Sequence, residues 1–228
     1  MFDPASPHDR IISATLKLAE DHDWSDIDLT RIAAAAEIDL IELRRHYETP
    51  TDILKAFSAA VDREVLKRAA NDGDDGDVAR DRLFDVLMTR FEVLQPWKSA
   101  LKRLGRNPAL ALEMAPVFLN AQRWMLEAAG ISTSGSKGRA RMLGTSAVYA
   151  RVMQTWLDDD DAGMAKTMAA LDSRLRRGEK VMQRADDAFS ILSGLGNVIF
   201  SRRDKDRKSD TEKPDEPGPD APANAEPA

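Results

Sequence analysis

The stretch Leu29–Tyr47, LTRIAAAAEIDLIELRRHY, holds the residues whose types and spacing suit recognition chemistry. It reads as two short helices joined by a tight turn, the shape that lets the second helix enter a DNA major groove. Asp39 and Glu42 can accept hydrogen bonds from cytosine amino groups, and Arg31, Arg44 and Arg45 carry the positive charge that phosphate requires. The local charge balance opposes them. Residues 1–50 hold eleven carboxylates against five bases, a net of −6, whereas phosphate contacts supply most non-specific DNA affinity. Asp39 and Glu42 also repel phosphate.

Other chemistries find little purchase. His8, His22 and His46 are scattered without i, i+4 pairing, so no metal site is expected. The absence of cysteine excludes disulfides, a thiolate nucleophile and thiolate metal ligation, and suits a reducing cytoplasm. The run Asp158–Asp161 suits a loop that caps the following helix, and lacks the Gly and bidentate Glu of a calcium loop. Gly194-Leu195-Gly196 has neither the preceding strand nor the Lys of a phosphate loop. No Ser/His/Asp arrangement suggests catalysis, and nothing calls for a cofactor. The expectation is a binding protein, not an enzyme.

The elements that must position these residues are helical throughout. At 228 residues, 43% hydrophobic and 32% charged, with a mean hydropathy of −0.44, the chain describes a soluble protein with ample core. Ile11, Ile12, Leu16, Leu18 and Ala19 stripe a first helix entered through Ser6-Pro7, and Trp24 is expected as a buried anchor behind it. Leu29, Ile32, Ala33 and Ala36 stripe the second. Asp39 suits the N-cap of a third, with Leu40, Leu43 and Tyr47 inward. Thr49-Pro50-Thr51-Asp52 is a strong start for a fourth, running to Asn71.

Asp72–Gly76 is a turn and a boundary. Helices are expected over Val78–Leu94, Pro96–Arg106, from Asn107-Pro108 to a Gly130 C-cap with a kink at Pro116, then Arg139–Leu157 and Ala162–Gln183, with a flexible loop over Ser132–Gly138. No Val/Ile/Thr-rich alternation reads as a strand, so the fold class is all-α. From Asp204 onward the chain is charged and Pro-rich, and disorder is expected. The start MFDPASPHDR lacks the regions of a signal peptide, and no run approaches the roughly 20 apolar residues that span a bilayer, so a cytoplasmic location is expected.

The register of Leu29-Thr30-Arg31-Ile32-Ala33, Ala36, Ile38-Asp39, Leu43, His46-Tyr47 and Asp52-Ile53-Leu54 resembles the N-terminal domain of TetR-family transcriptional regulators, over about residues 9–66. The resemblance implies a helix-turn-helix domain over 1–48, a connecting helix over 49–71, a helical ligand-binding and dimerisation domain over 72–203 and a tail over 204–228. It implies that duplex DNA is the partner, that the protein is a homodimer, and that Asp39, Leu40, Ile41, Glu42, Arg44, Arg45, His46 and Tyr47 belong to the reading surface, with Thr30 and Arg31 near the backbone. Three departures stand out: Glu37 replaces the turn Gly, Arg44 an aromatic residue, and Pro50 a Lys. If the turn needs a positive φ, Glu37 strains it.

A shorter resemblance competes. Trp156-Leu157-Asp158-Asp159 followed by Lys166–Leu175 is similar to the C-terminal part of COQ9-type proteins, which implies an isoprenoid-like lipid ligand and an accessory role in ubiquinone biosynthesis without DNA. Independently, Asp187–Arg203 places Ala188, Ile191, Leu192, Leu195, Val198 and Ile199 at helical spacing beside a basic cluster, the pattern of peripheral membrane contact; packing on the bundle or on a partner is the alternative. Met88, Phe91, Trp97, Leu104, Met114, Phe118, Trp124, Met125 and Trp156 either form plain core or line a cavity for a small apolar ligand. Met142, Leu143, Val148, Val152 and Trp156 on one long helix, with Met164, Met168, Leu171 and Leu175 on the next, are expected to form a dimer interface.

Overall fold

The computed structural model describes residues 2–70 and 78–178. These residues hold helices and turns with no strand: α1 (Pro7–Asp21), a 3-10 turn (Trp24–Asp26), α2 (Leu29–Ala35), α3 (Leu40–His46), α4 (Pro50–Ala69), α5 (Ala79–Leu94), a second 3-10 turn (Gln95–Trp97), α6 (Lys98–Leu104), α7 (Pro108–Ala128), α8 (Gly135–Leu157) and α9 (165–178).

Polar side chains close the early helix starts, where backbone N–H groups would otherwise lack partners. Ser6 accepts from the Asp9 amide just ahead of Pro7, and Asp28 and Asp39 each accept at 2.7 Å, from the amides of Arg31 and Glu42. Thr49 and Asp52 cap each other reciprocally at 3.1 Å. Gly130, at φ 71°, ends α7: its amide donates to Glu127 and the Ile131 amide reaches back to Leu126 at 2.9 Å.

Helix α1 packs on α2, α4 and α6, while α4 also packs on α5 and α7, and α7 on α8. The central helix α4 therefore touches both the helix-turn-helix unit and the rest of the bundle. Ile11, Ile12, Leu16, Ile32, Leu43 and Ile53 are fully buried where α1–α4 meet. Farther along, Phe91 stacks on Tyr149 at 4.8 Å and lies 5.5 Å from Trp156, forming an aromatic layer between α5 and α8.

Several boundaries differ from the sequence reading, each for a local reason. Trp24 is half-buried in a 3-10 turn rather than enclosed. Leu40 is 49% exposed, because α3 meets its neighbours through its second turn, at Leu43 and Tyr47, and leaves the first in water. Pro96 sits in a separate 3-10 turn, so α6 begins at Lys98. Helix α8 begins at Gly135, four residues before the expected Arg139, and shortens the loop. Gly138 makes this start feasible: a Cβ there would overlap the Thr133 backbone. Helix α9 begins at 165 rather than Ala162, behind Met164 at φ 53°. The acidic run does cap it. Asp161 accepts from the Ala165 amide, and buried Asp159 accepts from both the amide and hydroxyl of Thr167 at 2.9 and 2.7 Å.

The expected dimer stripe also needs correction. Val152, Trp156, Met164, Leu171 and Leu175 are buried within the protomer, because α8 and α9 spend that face on their own core. Leu143 and Met168 remain exposed, at 61% and 40%. The Asp72–Gly76 turn, the end of the Ala162–Gln183 helix, the Asp187–Arg203 helix and the tail lie outside the described residues. Within those described, no helix is long and apolar enough to cross a membrane.

Candidate nucleic-acid interface

Helices α2 and α3 are joined by a turn in which the Glu37 amide donates to Ala34 and the Ile38 amide to Ala33 at 3.1 Å. This closure requires a left-handed residue, and Glu37 supplies it at φ 55°. Four consecutive alanines before it, Ala33–Ala36, keep α2 slim. Ala33 and Ala36 are buried where larger side chains would push α3 away.

With Leu43 and Tyr47 inward, α3 presents Leu40, Ile41, Arg44 and Arg45 to solvent, with Ile41 71% exposed. Its basic side chains are already engaged. Arg45 pairs with Glu42 at 2.8 Å, His46 with the same carboxylate at 3.2 Å, and Arg44 with Glu48 at 3.3 Å. Arg31 donates to the Asp26 carbonyl at 3.0 Å, and Thr30 is exposed beside it. Asp39 caps the helix with the carboxylate that was a candidate for cytosine. Exposed intrahelical pairs of this kind are each worth only about 0.3–0.5 kcal/mol, so phosphate can displace them.

Tyr47 does not join this surface. It is 6% exposed, its hydroxyl makes no hydrogen bond among the described residues, and its ring lies 5.4 Å from His8. Burial, with Asp9 adding to it, holds its pKa well above the usual tyrosine value. Tyr47 fixes the end of α3 against α1, and its role is to position the helix.

A three-helix unit with this turn, carried on a long α4 and backed by a larger helical bundle, matches solved structures along most of its length. A TetR transcriptional regulator from Nitrosomonas europaea superposes with a TM-score of 0.62 at 18% identity, over 76% of this chain and 98% of that one. The fold is the TetR fold. A TetR regulator from Rhodococcus sp. RHA1 (0.53, 16% identity, 75% and 94% covered) and the fatty acid degradation regulator FadR from Bacillus halodurans (0.53, 16%, 76% and 95%) are similar in the same way. No protein-family model and no curated protein matches the chain.

In this TetR fold the nine Met, Leu and aromatic candidates separate. Met88, Phe91, Leu104, Met125 and Trp156 are buried, Trp97, Met114 and Phe118 half-buried, and Trp124 is 47% exposed. Phe91 and Phe118 both pack on Tyr149, and Trp156 adjoins Phe91. Trp97 stands apart, packed on Phe2 and Phe57, and lines a cleft of about 640 Å³ with Arg10, Lys17, Glu37 and Arg68.

Sequence reasoning missed a polar cluster inside the bundle. Arg90 on α5 forms a buried ion pair with Asp62 on α4, and its guanidinium lies 5.9 Å from the Tyr149 ring centre. Burial pushes the Tyr149 hydroxyl up to about 12, with Arg90 pulling the other way. Gln122 on α7 is wholly buried, yet neither end of its amide is hydrogen-bonded among the described residues, whereas the Tyr149 hydroxyl faces the Arg90 guanidinium. An unmet buried polar group costs about 1–3 kcal/mol. The signal was available: Gln122 follows Phe118 by four residues and precedes Met125 by three, and Asp62 adjoins Val61 on the face that continues to Val65.

Proposed function

We propose that this chain is a TetR-like transcriptional regulator that binds duplex DNA through α3 as a homodimer and answers to a small, largely apolar ligand held in the bundle. The observation that supports it most is the exposed face of α3, with Leu40, Ile41, Arg44 and Arg45 outward on a helix anchored by Leu43 and Tyr47. Apolar side chains in a major groove meet thymine methyl groups, while the arginines reach guanine edges or phosphates. Every base on α3 starts paired with a carboxylate, so binding must exchange those partners for phosphate, and affinity is modest. Such a protein works in the cytoplasm, where its DNA is.

Among the described residues of α8 and α9, Leu143 and Met168 are large apolar side chains left exposed and available to a partner. A twofold contact through them would present two α3 helices to successive major grooves. The test is a gel-shift titration of the full-length protein against duplex DNA from upstream of its own coding region, at low salt. A retarded complex that weakens in Arg45→Ala supports the reading. A folded wild-type protein that retards no fragment overturns it.

A further inference from the structure

We infer that the cleft bounded by α1, the α2–α3 turn, α4 and the end of α5 binds a small monoanion with a flat, apolar body. The site lies apart from the aromatic layer between α5 and α8, and it stands whether or not the protein binds DNA. At about 640 Å³ the cleft has the size of a small-molecule site. Phe2, Pro4, Pro96 and Trp97 line it, and four rings suit a planar apolar body. An occupant touches α1 and the α2–α3 turn on one side and the α5 end on the other.

The charges select an anion. Arg10, Lys17 and Arg68 line the cleft together with Glu37, Glu64 and Glu92. Arg68 is committed to two of these carboxylates, 3.0 Å from Glu64 and 4.0 Å from Glu92. That leaves Arg10 and Lys17 against Glu37, and none of these three side chains has a hydrogen bond or ion pair among the described residues. Arg10 is half-buried, with its Nε enclosed and without a partner. Its charge is thus poorly hydrated on one side, and an anion at its open end compensates it. Lys17 stands two turns along the same face of α1, about 10 Å away on the axis, and brings a second unpaired base to the cleft. Two free bases against one free carboxylate leave a surplus of one positive charge, which one carboxylate neutralises. A dianion would overshoot it and be repelled by Glu37.

The probes are 1-naphthoate, its neutral amide and 1-naphthylmethylammonium, titrated into the full-length protein by isothermal calorimetry at low salt. Naphthoate is expected to bind at least about tenfold more tightly than the amide, the advantage of charge-assisted hydrogen bonds, and the ammonium to bind more weakly than either. Arg10→Gln, checked for fold by circular dichroism, should remove most of the preference for the acid. Lys17→Gln should remove a smaller part, and serves if Arg10→Gln does not fold, since Lys17 is exposed. Glu37→Gln should strengthen naphthoate binding several-fold and leave the amide unchanged. Acid and amide binding alike, the ammonium binding tightest, or no probe binding at millimolar concentration overturns the inference. So does a folded Arg10→Gln protein that keeps the full preference. No DNA is present in these titrations, so failure here and failure of the regulatory reading are separate results.

Discussion

The helix-turn-helix unit and the α4–α8 interior handle polar groups in opposite ways. On α3 every base has a carboxylate within one helical turn, at 2.8 to 3.3 Å, and the surface is electrostatically self-contained. Inside the bundle, Arg90 is held by Asp62 and faces Tyr149, and the buried Gln122 amide has no hydrogen-bond partner among the described residues. A surface that satisfies itself yields weak, exchangeable binding. On the function proposed above, the first region is the one that meets a long, charged polymer, and the second holds the helices that carry it.

The largest expected effect lies in the interior. Arg90→Met alone leaves Asp62 buried and unpaired, and should destabilise the protein by about 3–5 kcal/mol in urea unfolding. Asp62→Leu with Arg90→Met should restore much of that loss, because two apolar side chains replace a compensated pair. If the double variant is as unstable as the single one, the pair does more than balance itself. The corresponding change on α3 should act on binding. Glu42→Gln frees Arg45 and His46 from two exposed pairs of about 0.3–0.5 kcal/mol each, and should tighten DNA binding roughly three- to fivefold with little change in stability.

Much of this contrast was legible in the sequence, and the part that was not has a physical cause. The caps at Ser6, Asp39 and Thr49 depend on neighbours three residues away, so the starts of α1, α3 and α4 could be read directly. The positive φ of Glu37 was likewise foreseeable, because a turn of this length needs one. Burial of Val152 and Leu171 was not. Helical spacing shows that a stripe is apolar, but not whether α5 and α7 or a second protomer covers it. The Asp62–Arg90 pair spans 28 residues and could only be suspected from charges on apolar faces. Early starts such as Gly135 depend on a glycine lying against a loop, a close approach that periodicity does not encode.

Smaller effects follow in order. Leu143→Glu should give monomers in sedimentation without unfolding the chain, whereas Val152→Glu should unfold it, since Val152 belongs to the protomer core. A Leu143→Glu protein that remains dimeric would place the partner elsewhere. Glu37→Gly relieves left-handed strain of about 1–2 kcal/mol and incurs roughly 0.5–1 kcal/mol of added chain entropy, for a net gain of about 1 kcal/mol in chemical unfolding. The smallest effect concerns pH. The Thr167 hydroxyl, followed by burial acting the other way, leaves Asp159 with a pKa below the usual carboxylate value. A depressed folded value means its contribution is present above about pH 4 and disappears as pH falls through the folded pKa. Asp159→Asn should therefore lower the melting temperature at neutral pH and narrow its gap to wild type in acid.

The most direct test of the central claim is a salt series of DNA binding for the wild type beside the Glu42→Gln/Glu48→Gln double variant, on the same upstream duplex. The account predicts a shallow wild-type slope and, for the variant, tighter binding with a slope steeper by about one unit for each additional phosphate neutralised. A folded wild-type protein that ignores the duplex at the lowest salt, with a variant that binds no better, would contradict it and remove α3 as a DNA-reading helix.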